Sequence, residues 1–346
     1  LIASTDSPRT DFAPARGFLD VGIAVLAFVL VCAGLNALLP FPEIDVVSAE
    51  LRFFQEHRDE FDTIFIGSSR IHHQVSPAIF DRVMGEAGHP TRTFNFGING
   101  MFPPESGYVL ERLLSTKPRR LKWVFIELDE LETRRIPKAE ASRRSLYWHD
   151  WKRTSLVLRK ILDDGRHENA RDLFFFHSAL FAKNFTNIGR KIDLSWWSSH
   201  LGKKAGPPKR LGHAGDGYVP QVRKMSDAEA VAYEAGLERA VAQAESRFLS
   251  AAAEHAYRQW ADEIRKTGAI PIFLATPTTT QTKLGFRPES GSAGAMMLFN
   301  DRKNYPQLYR NEIRVDADHL NETGAEEFTR LIADNFSRLI NDGRTQ

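Results

Sequence analysis

The hydrophobic and polar positions divide the chain into regions of different periodicity. The first is one apolar run, Gly17 to Leu39 (GFLDVGIAVLAFVLVCAGLNALL), with no charged or amide side chain between Val21 and Leu35. As a helix at 1.5 Å per residue the run spans about 35 Å, enough to cross a bilayer core of about 30 Å. Asp20 and Asn36 fall near its ends, where polar groups reach the interface. The pattern predicts a transmembrane helix over residues 17–39, preceded by a short terminus (1–16) and followed by a linker or helix (40–61). Pro40 and Pro42 supply a sharp stop. A cleaved signal peptide is the competing reading. Against it, sixteen residues precede the run and no Ala-x-Ala pattern follows. Val31 before Cys32 is not the small residue of a lipoprotein anchor.

From Asp62 the pattern changes to short apolar runs alternating with helical periods. Strands are predicted at Asp62–Ile66 (DTIFI), Thr93–Phe96, Trp123–Leu128 (WVFIEL) and Ala269–Ala275 (AIPIFLA), with a weaker one near Ile313–Val315. Helices are predicted at Ser76–Gly88, with Ile79, Phe80, Val83 and Met84 on one face, at about Pro104–Ser115, and at about Glu322–Ile340. Ser226 and Glu229 form a capping box opening a long Ala-rich helix to about Lys266. Strands alternating with helices predict an α/β fold with a parallel sheet sandwiched by helices, spanning residues 62–346. In such sheets ligands bind beyond the carboxyl ends of the strands.

The alternation breaks at about residues 133–225, which read as a helical insertion. Aromatics cluster there (Tyr147, Trp148, Trp151; Phe174, Phe175, Phe176; Trp196, Trp197), and Lys203–Gly217 reads as a loop. The whole chain has a net charge of only +2, but Thr133–Met225 holds 20 Lys/Arg against 8 Asp/Glu. Such a stretch is either a solvated basic face or a surface for anionic lipid or an acidic polymer. The single cysteine excludes a disulfide framework and a cysteine-based zinc site. No nucleotide- or nucleic-acid-binding motif stands out. Arg9 and Arg16 precede the apolar run and no Lys or Arg follows until Arg52. The positive-inside rule then predicts a single pass through the cytoplasmic (inner) membrane, with the N-terminus inside and the main domain periplasmic or extracellular.

Two elements carry candidate chemistry. The strand DTIFI runs directly into Gly67-Ser68-Ser69-Arg70. A serine where a strand turns into a helix has an exposed hydroxyl beside free backbone amides that can hold an oxyanion, although a serine there also serves as a plain helix cap. Near the other end, Asp316-Ala-Asp-His319 precedes the last helix. Asp and His three positions apart can pair, the carboxylate fixing the tautomer so that the other ring nitrogen takes a proton from a serine. A solvated polar helix start is the alternative. No second His stands at ligand spacing, so no metal is expected, and no cofactor.

Together these blocks resemble the SGNH/GDSL hydrolase superfamily, over roughly Asp62 to Ile340 without the insertion. Gly67-Ser68-Ser69 resembles its nucleophile block, with Ser68 in place of the usual Asp. Asn95-Phe-Gly97-Ile-Asn-Gly100 resembles its glycine block, and Asp316 with His319 its last block. The resemblance implies a flavodoxin-like SGNH fold, a Ser69–His319–Asp316 triad, and backbone oxyanion donors at Ser69 and Gly100. The Asn of the third block is missing from Glu127-Leu-Asp129-Glu130-Leu-Glu132, which leaves Asn99 as a possible substitute; Ser68 and Arg70 are further candidates. GSSR with an N-terminal anchor resembles the extracytoplasmic O-acyltransferases of the alginate O-acetylation and D-alanyl transfer type. That group works with a membrane-bound O-acyltransferase that delivers the acyl group. It implies O-acylation, most plausibly O-acetylation, of a cell-surface polysaccharide through an acyl-enzyme. A membrane-anchored carbohydrate esterase and a non-catalytic scaffold binding a glycan or an acyltransferase remain open.

Overall fold

The computed structural model describes residues 14–38, 44, 47–135, 143–164, 169–186, 211–242, 247–279, 284–287 and 293–344. Residues 1–13, Leu39, Pro40, Pro42, Trp196, Trp197 and the first part of the Lys203–Gly217 loop lie outside them. The apolar run forms α1 (Pro14–Leu38), within which Gly17–Leu38 is long and apolar enough to span a membrane. Then follow α2 (Val47–His57), β1 (Thr63–Gly67), α3 (Ser69–Gln74), α4 (Pro77–Glu86), β2 (Thr93–Gly97), α5 (Glu105–Ser115) and β3 (Trp123–Glu127). The insertion contributes α6 (Arg143–Tyr147), α7 (Trp151–Asp164) and α8 (Ala170–Thr186). The chain continues with α9 (Asp227–Ala242), β4 (Arg247–Phe248), α10 (Ala251–Lys266), β5 (Ile270–Ala275), β6 (Leu284–Gly285), β7 (Ala295–Leu298) and α11 (Glu322–Asn341).

Five strands form one parallel sheet in the order β2-β1-β3-β5-β7, and β4 pairs with β6 separately. The strands read as continuous apolar runs because both faces are covered. Alternate side chains divide between two cores. Ile64, Ile66, Phe94, Phe96, Val124 and Ile126 face the layer of α2, α5 and α10, packing with Phe54, Val109 and Trp260. Phe65, Phe125, Ile272 and Leu274 face α4 and α11, packing with Phe80, Met84, Phe328 and Phe336. The Phe65 and Phe125 rings stack at 4.2 Å, and Phe336 meets Phe125 edge-on at 4.9 Å. Burying a side chain such as Phe336 is worth about 1.5–3 kcal/mol, so this layering fixes the register of the strands.

Two predicted elements differ. Ile313–Val315 is not a strand: a 3₁₀ turn (Asn311–Ile313) leads into an isolated antiparallel bridge between Arg314 and Leu320. The Arg314 side chain is drawn inward to carbonyl groups and folds the segment back on itself. The fifth strand is β7 instead, a four-residue edge strand (AMML) whose side chains are partly exposed. The long helix from Ser226 to Lys266 is two helices. Its capping box forms as read, with the Ser226 amide donating to Glu229 Oε2 at 2.9 Å. The second helix restarts at Ser250, whose Oγ accepts from the Ala253 amide at 3.2 Å. Glu130 holds that cap in place, accepting from the Ser250 amide at 2.8 Å and its hydroxyl at 2.7 Å. A long-range carboxylate overrides continuous helical propensity here.

Candidate active site

The carboxyl ends of β1, β2, β3 and β5 converge with the Asp316–His319 loop. Ser68 is the N-cap of α3, buried, its Oγ accepting from the Arg70 amide at 3.2 Å. Its hydroxyl is therefore a structural cap. The next residue, Ser69, projects its Oγ to 2.8 Å from His319 Nε2. His319 Nδ1 lies 2.9 Å and 3.0 Å from the two carboxylate oxygens of Asp316. A carboxylate only accepts, so Nδ1 carries the proton and Nε2 accepts from the Ser69 hydroxyl.

Asp316 also accepts from the amides of Asp318 at 2.8 Å and His319 at 2.9 Å. Partial burial works against its charge, but the hydrogen bonds from the His319 ring and these amides prevail and hold it down to about 2. The loop is pinned from beneath by Arg314, which is fully buried. Its guanidinium donates to the carbonyls of Asp316 (3.1 Å), Leu308 (2.8 Å), Pro277 (3.1 Å) and Ala317 (2.7 Å). It also lies over the rings of Tyr233 and Tyr309. From neighbouring elements, Gln74 donates to the Asp318 carbonyl at 3.0 Å and Thr278 to its carboxylate.

Backbone amides around Ser69 are unevenly satisfied. Those of Ser68, Arg70, Ile71 and His72 donate to Glu127 Oε2, Ser68 Oγ and, for the last two, the Ser68 carbonyl. Among the described residues the Ser69 amide has no protein acceptor, and neither has that of Gly100. Gly100 follows β2 with φ +68°, in the left-handed region that favours glycine. Asn99 beside it is already engaged. Its carbonyl accepts from Arg144 at 2.8 Å, and its side chain hydrogen-bonds His73.

Arg70 does not reach toward solvent. It is 5% exposed and bridges Glu127 Oε1 at 2.7 Å and the Asp129 carboxylate. Burial opposes its charge, yet the two carboxylates raise its pKa further. The carboxylates that hold Arg70 stand at the end of the third strand and just after it. Glu127 also takes the Ser68 amide at 2.6 Å, linking β3 to the start of α3.

Sequence reasoning missed His73, one turn after Ser69 on α3. Its Nδ1 donates to the Val219 carbonyl at 2.6 Å. Burial first, with the neighbouring His319 also acting against a second positive charge, lowers its pKa. The i, i+4 spacing from Ser69 was the available signal. A cavity of about 380 Å³ beside the glycine block was not legible either. It is lined by Gly100, Phe102, Trp148, His149, Phe176 and His177, so the insertion forms one wall.

Fold and site define an α/β protein whose parallel sheet carries a serine, a histidine and an aspartate hydrogen-bonded in series at its carboxyl edge. No protein-family model matches the chain, and no curated protein matches it.

Proposed function

We propose that the chain is an SGNH-type serine O-acyltransferase that modifies a cell-surface polysaccharide, acetyl being the expected group. In this reading α1 anchors it in the cytoplasmic membrane, its N-terminus inside and its catalytic domain outside. The observation that carries the reading is the hydrogen-bonded series Ser69–His319–Asp316. It is supported by the placement of the blocks: serine after β1, glycine block after β2, Asp and His ahead of α11, on the strand order β2-β1-β3-β5-β7.

The chemistry follows from the geometry. Ser69 Oγ attacks the acyl carbonyl as its proton passes to His319 Nε2, and Asp316 stabilises the imidazolium. Charge developing on the carbonyl oxygen is met by the unsatisfied amides of Ser69 and Gly100. The tetrahedral adduct collapses as His319 returns the proton to the leaving group, giving an ester on Ser69. A sugar hydroxyl then attacks that ester with His319 again as base, and the proton is restored to Ser69 as the product leaves. The acyl donor is delivered by a membrane-bound O-acyltransferase partner.

The test is incubation of the purified chain with an activated acetyl ester and an oligosaccharide acceptor. Acceptor heavier by one acetyl group, lost in Ser69→Ala, is the expected result. Acetate released from an acetylated glycan without transfer identifies an esterase. Polymer acylation in cells that persists with Ser69→Ala leaves only a scaffold role.

A further inference from the structure

α8 presents two faces to different surroundings. Phe176, His177 and Leu180 line the cavity beside Gly100. Another face, formed by Arg171, Phe175, Ala179, Ala182 and Lys183, is exposed, with Asp172 beside it. Phe175 is 64% exposed there. The carboxyl end of α8 meets the apolar helix α1. Asn36 Nδ2 donates to the Phe185 carbonyl at 2.5 Å, and Cys32, one turn earlier on α1, is only 2% exposed. From this junction a row of rings leads outward. Phe185 stacks on Phe181 at 6.0 Å, and Phe181 meets Trp151 edge-on at 5.7 Å. Trp151, at the start of α7, is 68% exposed.

Resting on the reading of α1 as a membrane span, we propose that this aromatic row and the exposed face of α8 lie in the outer interface of the same bilayer, with lipid as their occupant. Cys32 lies six residues inside the end of the apolar helix, about 9 Å along its axis. The polar interface on each side of the hydrocarbon core is about 5–8 Å deep, so Cys32 falls at its inner boundary and the residues nearer the helix end, Asn36 with its partner Phe185 included, fall within it. Trp and Phe rings belong there, and exposed Arg171 and Lys183 suit anionic headgroups. On α7, Lys152, Arg153 and Lys160 are engaged with carboxylates of the domain, and Arg159 joins Arg171 and Lys183 as an exposed basic side chain. The contact is continuous with α1, which separates this patch from scattered surface apolar residues. Because the same helix walls the cavity, lipid contact holds that cavity beside the membrane.

The test uses the full chain in vesicles of phosphatidylethanolamine and phosphatidylglycerol, with Cys32→Ser as background. A single nitroxide is placed through Trp151→Cys or Phe175→Cys, and its relaxation by oxygen and by a water-soluble nickel chelate is compared. Leu26→Cys reports the bilayer core and Val231→Cys on α9 reports water. Labels at 151 and 175 should give an oxygen-to-chelate ratio clearly above that of position 231 and below that of position 26, as an interfacial depth requires. Labels at 151 and 175 that match position 231, with 26 still in the bilayer, overturn the inference and leave the face for a protein partner. Spin–spin broadening at 175 also overturns it, by placing a second copy of the chain there. A chelate-accessible label at 26 removes the span itself and the inference with it.

Discussion

At the scale of single residues, the proposed chemistry rests on three side chains and their protons. Asp316 holds the His319 tautomer that leaves Nε2 facing Ser69. Asp316→Asn keeps the shape but presents a donor where an acceptor is needed. A loss of roughly 10⁴ in turnover is expected, as for an equivalent change in a serine triad. The pH dependence has a defined sign. The Asp316 carboxylate is depressed to about 2, so its hydrogen bonds are complete above its ordinary 3.8 and fade only as pH falls through about 2. On acidification to about pH 4 the Asp316 hydrogen bonds, and the loop they brace, therefore persist. Near-ultraviolet circular dichroism recorded from pH 7 to pH 2 checks this; loss of the signal already at about pH 4 contradicts it.

Arg70 belongs at the same scale, with a different role. Arg70→Met leaves Glu127 and Asp129 buried without their cation. Removing one partner from a buried ion pair costs about 3–5 kcal/mol, to be read from the urea unfolding curve at neutral pH. The sequence left open whether Arg70 meets substrate or an acidic neighbour. Nothing local decides this, because Glu127 and Asp129 are both 59 or fewer residues away in the chain but join α3 only through the sheet.

At the scale of elements, α3 is the critical piece, since Ser69 is its first residue. Gly97 on β2 lies against it. A Cβ there would come 2.2 Å from the His72 amide nitrogen and 2.6 Å from its Cα, both backbone atoms that cannot swing aside. Gly97→Ala must push α3 away from the sheet. Slower acylation of Ser69 together with a lower melting temperature is the expected outcome, measured with an activated ester and by calorimetry. The four strong apolar runs read as strands are strands, because a parallel sheet covered on both faces demands such runs. Of α3 the sequence shows only the start at the serines, because SRIHHQ is too short to show a helical period. β7 is only four residues (AMML) behind a Ser/Gly-rich stretch, too short to mark a strand, and Ile313–Val315 has the pattern of a strand while buried Arg314 turns the chain. In the site, Ser69, His319 and Asp316 were legible from local spacing. His73, Arg314 and the wall of the cavity were not, since their roles arise from partners far along the chain.

At the scale of the whole molecule, an apolar helix and an α/β domain are joined through α8. Gly17–Leu38 is long and apolar enough to span a bilayer, and only 6% of its apolar window is buried by the rest of the chain. The full chain should resist extraction from membranes by alkaline carbonate. A variant lacking residues 1–38 should be released by the same treatment while keeping weaker, salt-sensitive binding to anionic vesicles through α8. Flotation assays read both.

In the proposed function the Ser69 hydroxyl, its proton taken by His319, becomes covalently acylated. Intact-protein mass spectrometry after brief exposure to an activated acetyl ester, followed by peptide mapping, measures this directly. One acetyl group on the peptide containing Ser69, absent from Ser69→Ala and strongly reduced in His319→Ala, is the predicted result. An adduct on another residue, or equal labelling of Ser69→Ala, contradicts it.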